Sequence, residues 1–186
     1  MRSVGAYGGH REGRGLSPPC PEDMSMGSGS SVKMVLLTVG MPRQRWVESA
    51  GQEYLQRISR WVPLAWEHVA EARHRPQDIK GIEEEGLRLL RCLQPRDTMV
   101  LLDEGGRSFS SPQFSQWLFG TYESTPGRLV LIVGGAFGVS SAVRERAHEA
   151  ISLSAMTFPH ELCAVVLLEQ LYRAVTIRHH VPYHHA

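Results

Sequence analysis

No charge of one sign dominates this chain. Its formal net charge is +1, so no global field points to a polyanionic partner. No apolar run reaches the roughly 18 residues needed to span a bilayer. The longest, CAVVLL at 163–168, lies within an amphipathic stretch, and no membrane association is expected. Cysteine is scarce: Cys20, Cys92 and Cys163 are far apart, and no two form a CxxC or a metal pair. That usage points to a reducing compartment, and Cys163, set in apolar sequence, reads as core. GxGxxG and a Walker lysine are both missing, which weakens any nucleotide-phosphate reading. Histidines crowd the C-terminal end (His179, His180, His184, His185). A structural zinc site wants four ligands on a rigid frame, so no metal is expected here.

The rest of the composition is that of a soluble globular protein, 42% hydrophobic and 21% charged over 186 residues, enough for one domain with a real core. Residues 1–31 differ. They hold seven glycines, six serines and three prolines, with PPCP at 18–21 and GSGSS at 27–31. Such a segment cannot bury enough apolar surface to offset its ordering entropy, and it has no apolar core of a secretory signal. The expected organisation is a disordered extension over 1–31 and one domain over 32–186.

Within that domain, apolar strands alternate with amphipathic helices. VKMVLLTVG (32–40), a stretch within 64–72, DTMVLLD (97–103), RLVLIVGG (128–135) and ISLS (151–154) read as strands. Residues 43–60, 77–93, 110–120, 139–150 and 161–178 read as helices, and EGGR after the third strand reads as a turn. Alternation with apolar strands predicts an α/β domain, a mainly parallel sheet of about five strands with helices on both faces. Ligands in such sheets sit beyond the carboxyl ends of the strands, which directs attention to 103–109, 134–139 and 155–160.

Four constellations could carry chemistry. VGGAFG (133–138) follows a buried strand and lets backbone N–H groups approach a ligand, although a tight strand-to-helix turn explains it as well. SLSAMTFPH (152–160) is an uncharged loop with hydroxyls and backbone donors, the style of a small-ligand pocket or of a plain αβ connection. Glu169 and Arg173, four apart, can pair on a helix. The end of the chain, VPYHHA (181–186), is either a solvated tail or a segment that folds into a site.

Taken in order, LLDEGGRSFSS, VLIVGGAFGVS, SLSAMTFPHELCAVVLLEQLYRA and the terminal PYHH resemble the RlmH family of the SPOUT superfamily over essentially all of 32–186. The resemblance implies an enzyme that methylates N3 of a pseudouridine in large-subunit (23S) ribosomal RNA, on assembled ribosomes in the cytoplasm. It implies a SPOUT fold with a C-terminal trefoil knot, one of the rare exceptions to unknotted connections. S-adenosylmethionine would be held in a bent shape at Leu102, Gly134, Gly135, Leu153, Ser154, Ala155, Met156, Thr157 and Phe158. A homodimer is implied, with the tail of one subunit completing the site of the other.

The chemistry of the reaction that the resemblance implies suggests roles. N3 of a pseudouridine carries a proton and is a poor nucleophile, so His184 would be base or base-positioner, Tyr183 would orient the uracil, and Arg173, held by Glu169, would stabilise charge on its oxygens. The tail departs from the family pattern: Val181 stands for a histidine and His185 for a terminal lysine or arginine, with Ala186 after it. That departure leaves room for a cofactor-binding, ribosome-associated protein impaired in catalysis. The tail and the LEQLYRA helix speak against a transfer-RNA substrate. Residues 32–75 hold seven basic and four acidic residues, a modest electrostatic footprint for RNA.

Overall fold

The structure, a computed structural model, describes residues 32–73 and 78–183. The expected disorder of residues 1–31 and the expected base His184 lie outside the described residues. Strand β1 (Met34–Val39) is buried at every position, as is β4 (Leu129–Val133). An unbroken apolar run is what a strand covered on both faces requires. Alternate side chains go to opposite faces. Met34, Leu36, Leu129, Leu131 and Val133 enter one core, while Val35, Leu37, Val39, Val130 and Ile132 enter the other. With β2 (Leu64–Val69), β3 (Thr98–Ser108) and β5 (Glu149–Ser152), they form a five-stranded sheet in the order β2-β1-β4-β3-β5. Every pairing is parallel.

Helices α1 (Arg45–Ile58), α3 (Ser111–Ser124) and α5 (His160–Arg178) cover the first face, with α5 packed against both α1 and α3. Helices α2 (Ile79–Arg91) and α4 (Ser141–Arg146) cover the second. Gly51 lets α1 settle on β2, because a Cβ there would collide with the Trp66 ring. Helix α3 starts on a full capping box: Ser110 accepts from the Gln113 backbone and Gln113 accepts from the Ser110 N–H. No described helix is long and apolar enough to cross a membrane.

The five-strand α/β reading stands, but three boundaries move. EGGR is not a turn, since β3 runs on to Ser108. Past a shift in register after Leu102, Arg107 and Ser108 pair with Ile151 and Ser152 of β5. Gly106 permits this, because a Cβ there would come within 2.6 Å of the Ile151 backbone. Helix α3 extends to Ser124 rather than stopping at Gly120. The helix expected over 139–150 ends at Arg146. There the His148 N–H donates to the Met99 carbonyl and its Nδ1 accepts from the Met99 N–H, both at 2.9 Å, which draws the chain onto β3 as β5.

Candidate functional site

Beyond the carboxyl ends of β4 and β5, two loops and the Leu102–Glu104 stretch of β3 enclose a cleft of about 760 Å3. Its glycine loop follows β4. Gly138 takes φ +88°, a backbone region that side chains disfavour, and donates its N–H to the Gly135 carbonyl at 3.1 Å. Gly134 and Gly135 are tight on the outer side. A Cβ on Gly134 would lie 2.5 Å from Val139, and one on Gly135 would lie 2.7 Å from Glu85 Oε2. The Glu85 carboxylate is buried, and its Oε1 accepts from the Ala72 N–H at 2.9 Å. Helix α2 thus braces the glycine loop from behind.

The second wall is the loop after β5. Ser152 Oγ donates to the Ser154 carbonyl, and Ser154 Oγ accepts from the Met156 N–H, each at 2.9 Å. These bonds hold the loop shape with its own hydroxyls. Met156 and Phe137 stand 71% and 52% exposed, one on each lip. Asp103 and Arg144 form an ion pair at the rim.

Of the nine residues expected at the cofactor, eight line this cleft: Leu102, Gly134, Gly135, Leu153, Ser154, Met156, Thr157 and Phe158. Ala155 is exposed and does not line it. Asp103, Phe137 and His160 line it too, within the segments the sequence pointed to, whereas the lining residues Arg144 and Cys163 lie outside those segments. Cys163, expected in the core, packs against the core with one side and bounds the cleft with the other. Burial pushes its thiol pKa up and keeps it a neutral wall group. Its place at the first turn of a helix that starts at the cleft was the available signal. Nothing in the spacing of Asp103 and Arg144 announces their pairing.

The second group of expected residues sits elsewhere. Glu169 Oε1 accepts from Arg173 Nε at 3.1 Å and from Nη2 at 2.6 Å. The same oxygen accepts from the Tyr183 hydroxyl at 3.3 Å. Glu169 Oε2 accepts from Gln170 Nε2 at 2.6 Å, and Gln170 Oε1 accepts from Ser111 Oγ at 2.9 Å. The Tyr183 ring packs edge-on against Tyr172, centroids 4.7 Å apart, with the Arg173 guanidinium 5.1 Å from its centroid. So Pro182 and Tyr183 fold back on α5.

Burial, the neighbouring Tyr54 hydroxyl and the Glu169 charge together push the Tyr183 pKa well up. Tyr183 is therefore a hydrogen-bond donor and not a base. The bond to Glu169 raises the Arg173 pKa further, which fixes a permanent cation. Tyr172 shares with Glu169 and Arg173 the helix face that the sequence puts forward, whereas Tyr54, 6.1 Å from it between ring centroids, reads in the sequence only as a position on the amphipathic face of α1.

The structure brings Glu169, Arg173 and Tyr183 together, but none of them lines the cleft. From Cys163 at the cleft to Glu169 is six residues, a rise of roughly 9 Å along α5 and a turn onto another face. Within one chain the cleft and the charged cluster are two separate features.

Comparison with known proteins supplies the context. The family described as "Predicted SPOUT methyltransferase" matches residues 32–184. A ribosomal RNA large subunit methyltransferase H of Parabacteroides distasonis is 39% identical over 156 residues, covering 83% of this chain and 99% of the relative. A protein of the same name from Desulfovibrio desulfuricans is 42% identical over 151 residues, 80% of this chain and 95% of the relative. Another from Trichlorobacter lovleyi is 38% identical over 154 residues, 83% of this chain and all of the relative. With the parallel sheet and the cleft at its carboxyl end, a match of this extent means that the chain belongs to the SPOUT methyltransferase family.

Proposed function

We propose that this protein is an S-adenosylmethionine-dependent methyltransferase acting on N3 of a pseudouridine in large-subunit ribosomal RNA, in the assembled ribosome. The observation that carries the reading is the mainly apolar, donor-bearing cleft in a chain that aligns over 83% of its length with nearly the whole of large-subunit RNA methyltransferases. Its volume is in the range of small-ligand sites, ~300–1,000 Å3. Its walls fit the cofactor: glycine backbone on one side, apolar side chains and backbone N–H groups on the other. Leu102, Gly134, Gly135 and the 153–158 loop would hold it, and the cofactor would supply an electrophilic methyl group on a sulfonium. Most of the rate gain in such a displacement comes from positioning.

The protein's own groups then act on the acceptor. Arg173, kept charged and oriented by Glu169, stabilises negative charge on the uracil oxygens as N3 loses its proton. Tyr183, held protonated, orients the ring by donation. His184 takes the proton or positions the group that does. Because the charged cluster stands apart from the cleft of its own chain, these residues serve the cleft of a second copy, and the working unit is a homodimer. The chain leaving β5 at the sheet edge returns as α5 between α1 and α3, a path that supports the family's C-terminal knot. Action on ribosomes also makes the cytoplasm the site of work.

The test is to incubate the protein and methyl-labelled cofactor with ribosomes lacking the modification, then map the label. Label on N3 of a single large-subunit pseudouridine is the expected result. Stoichiometric cofactor binding without label transfer would overturn the enzyme reading and leave a cofactor-binding protein, with Val181 and His185 as the altered positions.

A further inference from the structure

A chain of net charge +1 still has to hold a polyanion. The relevant surface is local. Helix α1 ends at Ile58, and the turn after it carries Arg60 and Trp61. Beside that turn α5 ends on Arg178, followed by His179 and His180. Ile58 and Val62 on either side of the turn fill the core, at 1% and 4% exposure, whereas Trp61 points outward at 44%. Its indole is not idle. It stacks on the His179 imidazole, centroids 4.3 Å apart and planes 30° apart.

Charge at this corner is positive. Arg60 is exposed and has no ion-pair partner among the described residues. Arg57 pairs with Glu53, and Arg178 pairs with Glu123. Three arginines against two glutamates leave one cation over, and two exposed imidazoles stand beside it. An exposed aromatic face beside a free cation is the chemistry that grips unpaired nucleotides, by base stacking and phosphate contact. A protein partner fits less well, because covering Arg60 would strip its charge of water without a counter-charge. The corner also adjoins the charged cluster. The Arg57 guanidinium lies 6.0 Å from the Tyr54 ring centroid and 5.6 Å from that of Tyr172, which packs on Tyr183.

We propose that the Trp61–His179 stack, with Arg60 beside it, is a platform for an unpaired nucleotide of the substrate RNA near the target base. It rests on the function proposed above. The test uses the full chain and its Trp61→Ala, Trp61→Phe and Arg60→Gln variants, none of which touches the cleft or the charged cluster. Two readouts are taken: ribosome binding by co-sedimentation, and KM and kcat for methylation of unmodified ribosomes.

Trp61→Ala is expected to weaken ribosome binding and raise KM by about tenfold, the scale of one lost base stack. Its kcat and cofactor affinity stay within twofold of the parent, and Trp61→Phe recovers most of the loss. Arg60→Gln weakens binding and lowers the salt dependence of log affinity by about one phosphate contact. Unchanged binding in both Trp61→Ala and Arg60→Gln overturns the platform. So does a loss of binding that tracks dissociation of the oligomer in ultracentrifugation, which would give this face to a second copy. If the parent protein transfers no methyl group, the function falls, and co-sedimentation still decides the platform on its own.

Discussion

Gly135 has no room for a side chain, and the reason lies behind the cleft rather than in it. A methyl group there meets Glu85 Oε2 at 2.7 Å and Val39 at 3.4 Å, and Glu85 is anchored by the Ala72 N–H. Gly135→Ala must therefore push the glycine loop into the cleft or displace a buried carboxylate. Overpacking of this kind costs about 1–3 kcal/mol. Calorimetry should find cofactor affinity reduced at least tenfold, with a melting temperature lower by only a few degrees. A second residue-scale expectation concerns Arg173. Lysine keeps the charge but loses the paired Nε and Nη2 contacts to Glu169. Arg173→Lys should lower kcat about 10- to 100-fold while cofactor affinity, assigned above to the cleft, is unchanged. A matching loss of cofactor affinity would move Arg173 into the cleft.

Elements depend on pins that sequence periodicity does not display. Asp97 joins the start of β3 to the start of β4. Its side chain is 0% exposed and accepts from Arg128 Nη2 at 2.6 Å, from the Arg128 N–H at 3.2 Å and from the Gln94 N–H at 2.8 Å. Burial alone would raise its pKa, but Arg128 and the Gln94 N–H outweigh burial and hold it below the ordinary value. A depressed folded pKa contributes stability that is present above the ordinary carboxylate pKa and lost as pH falls through the folded value. Asp97→Asn should cost about 3–5 kcal/mol at neutral pH, the scale for breaking a buried pair. It should also flatten the acid limb of stability below about pH 4. Chemical denaturation across pH 2.5 to 7 measures both.

The same element scale shows what was legible in the sequence. Apolar runs such as MVLLTV and LVLIV announced buried parallel strands, because burial on both faces leaves its mark on every residue. The boundaries near the cleft did not follow from periodicity. EGGR continues as strand because Gly106 tolerates the β5 backbone at close range, and 147–150 leaves the helix because His148 bonds Met99, 49 residues away. Both causes are contacts between distant segments, and neither leaves a local pattern. The cleft lining was legible for the opposite reason: loops built from glycine, serine and small apolar residues advertise backbone access in one dimension.

At the scale of the whole molecule, the separation of cleft and charged cluster along α5 makes a prediction that neither feature makes alone. If each cleft is served by the cluster of the other copy, two different lesions can complement. Arg173→Ala removes the cluster cation and leaves the cleft, whereas Gly135→Arg fills the cleft and leaves the cluster. Each variant alone should be inactive in methylating unmodified ribosomes. Mixed at equal amounts and allowed to exchange subunits, half of the dimers are hybrid, and each hybrid carries one site with both parts intact. Activity should return to about one quarter of the parent's sites by that two-fold counting. A mixture that stays inactive, with exchange verified by mass spectrometry of differently tagged subunits, would mean that α5 and the tail must bend toward their own cleft. In that case Tyr183 would have to leave Glu169 before the reaction could begin.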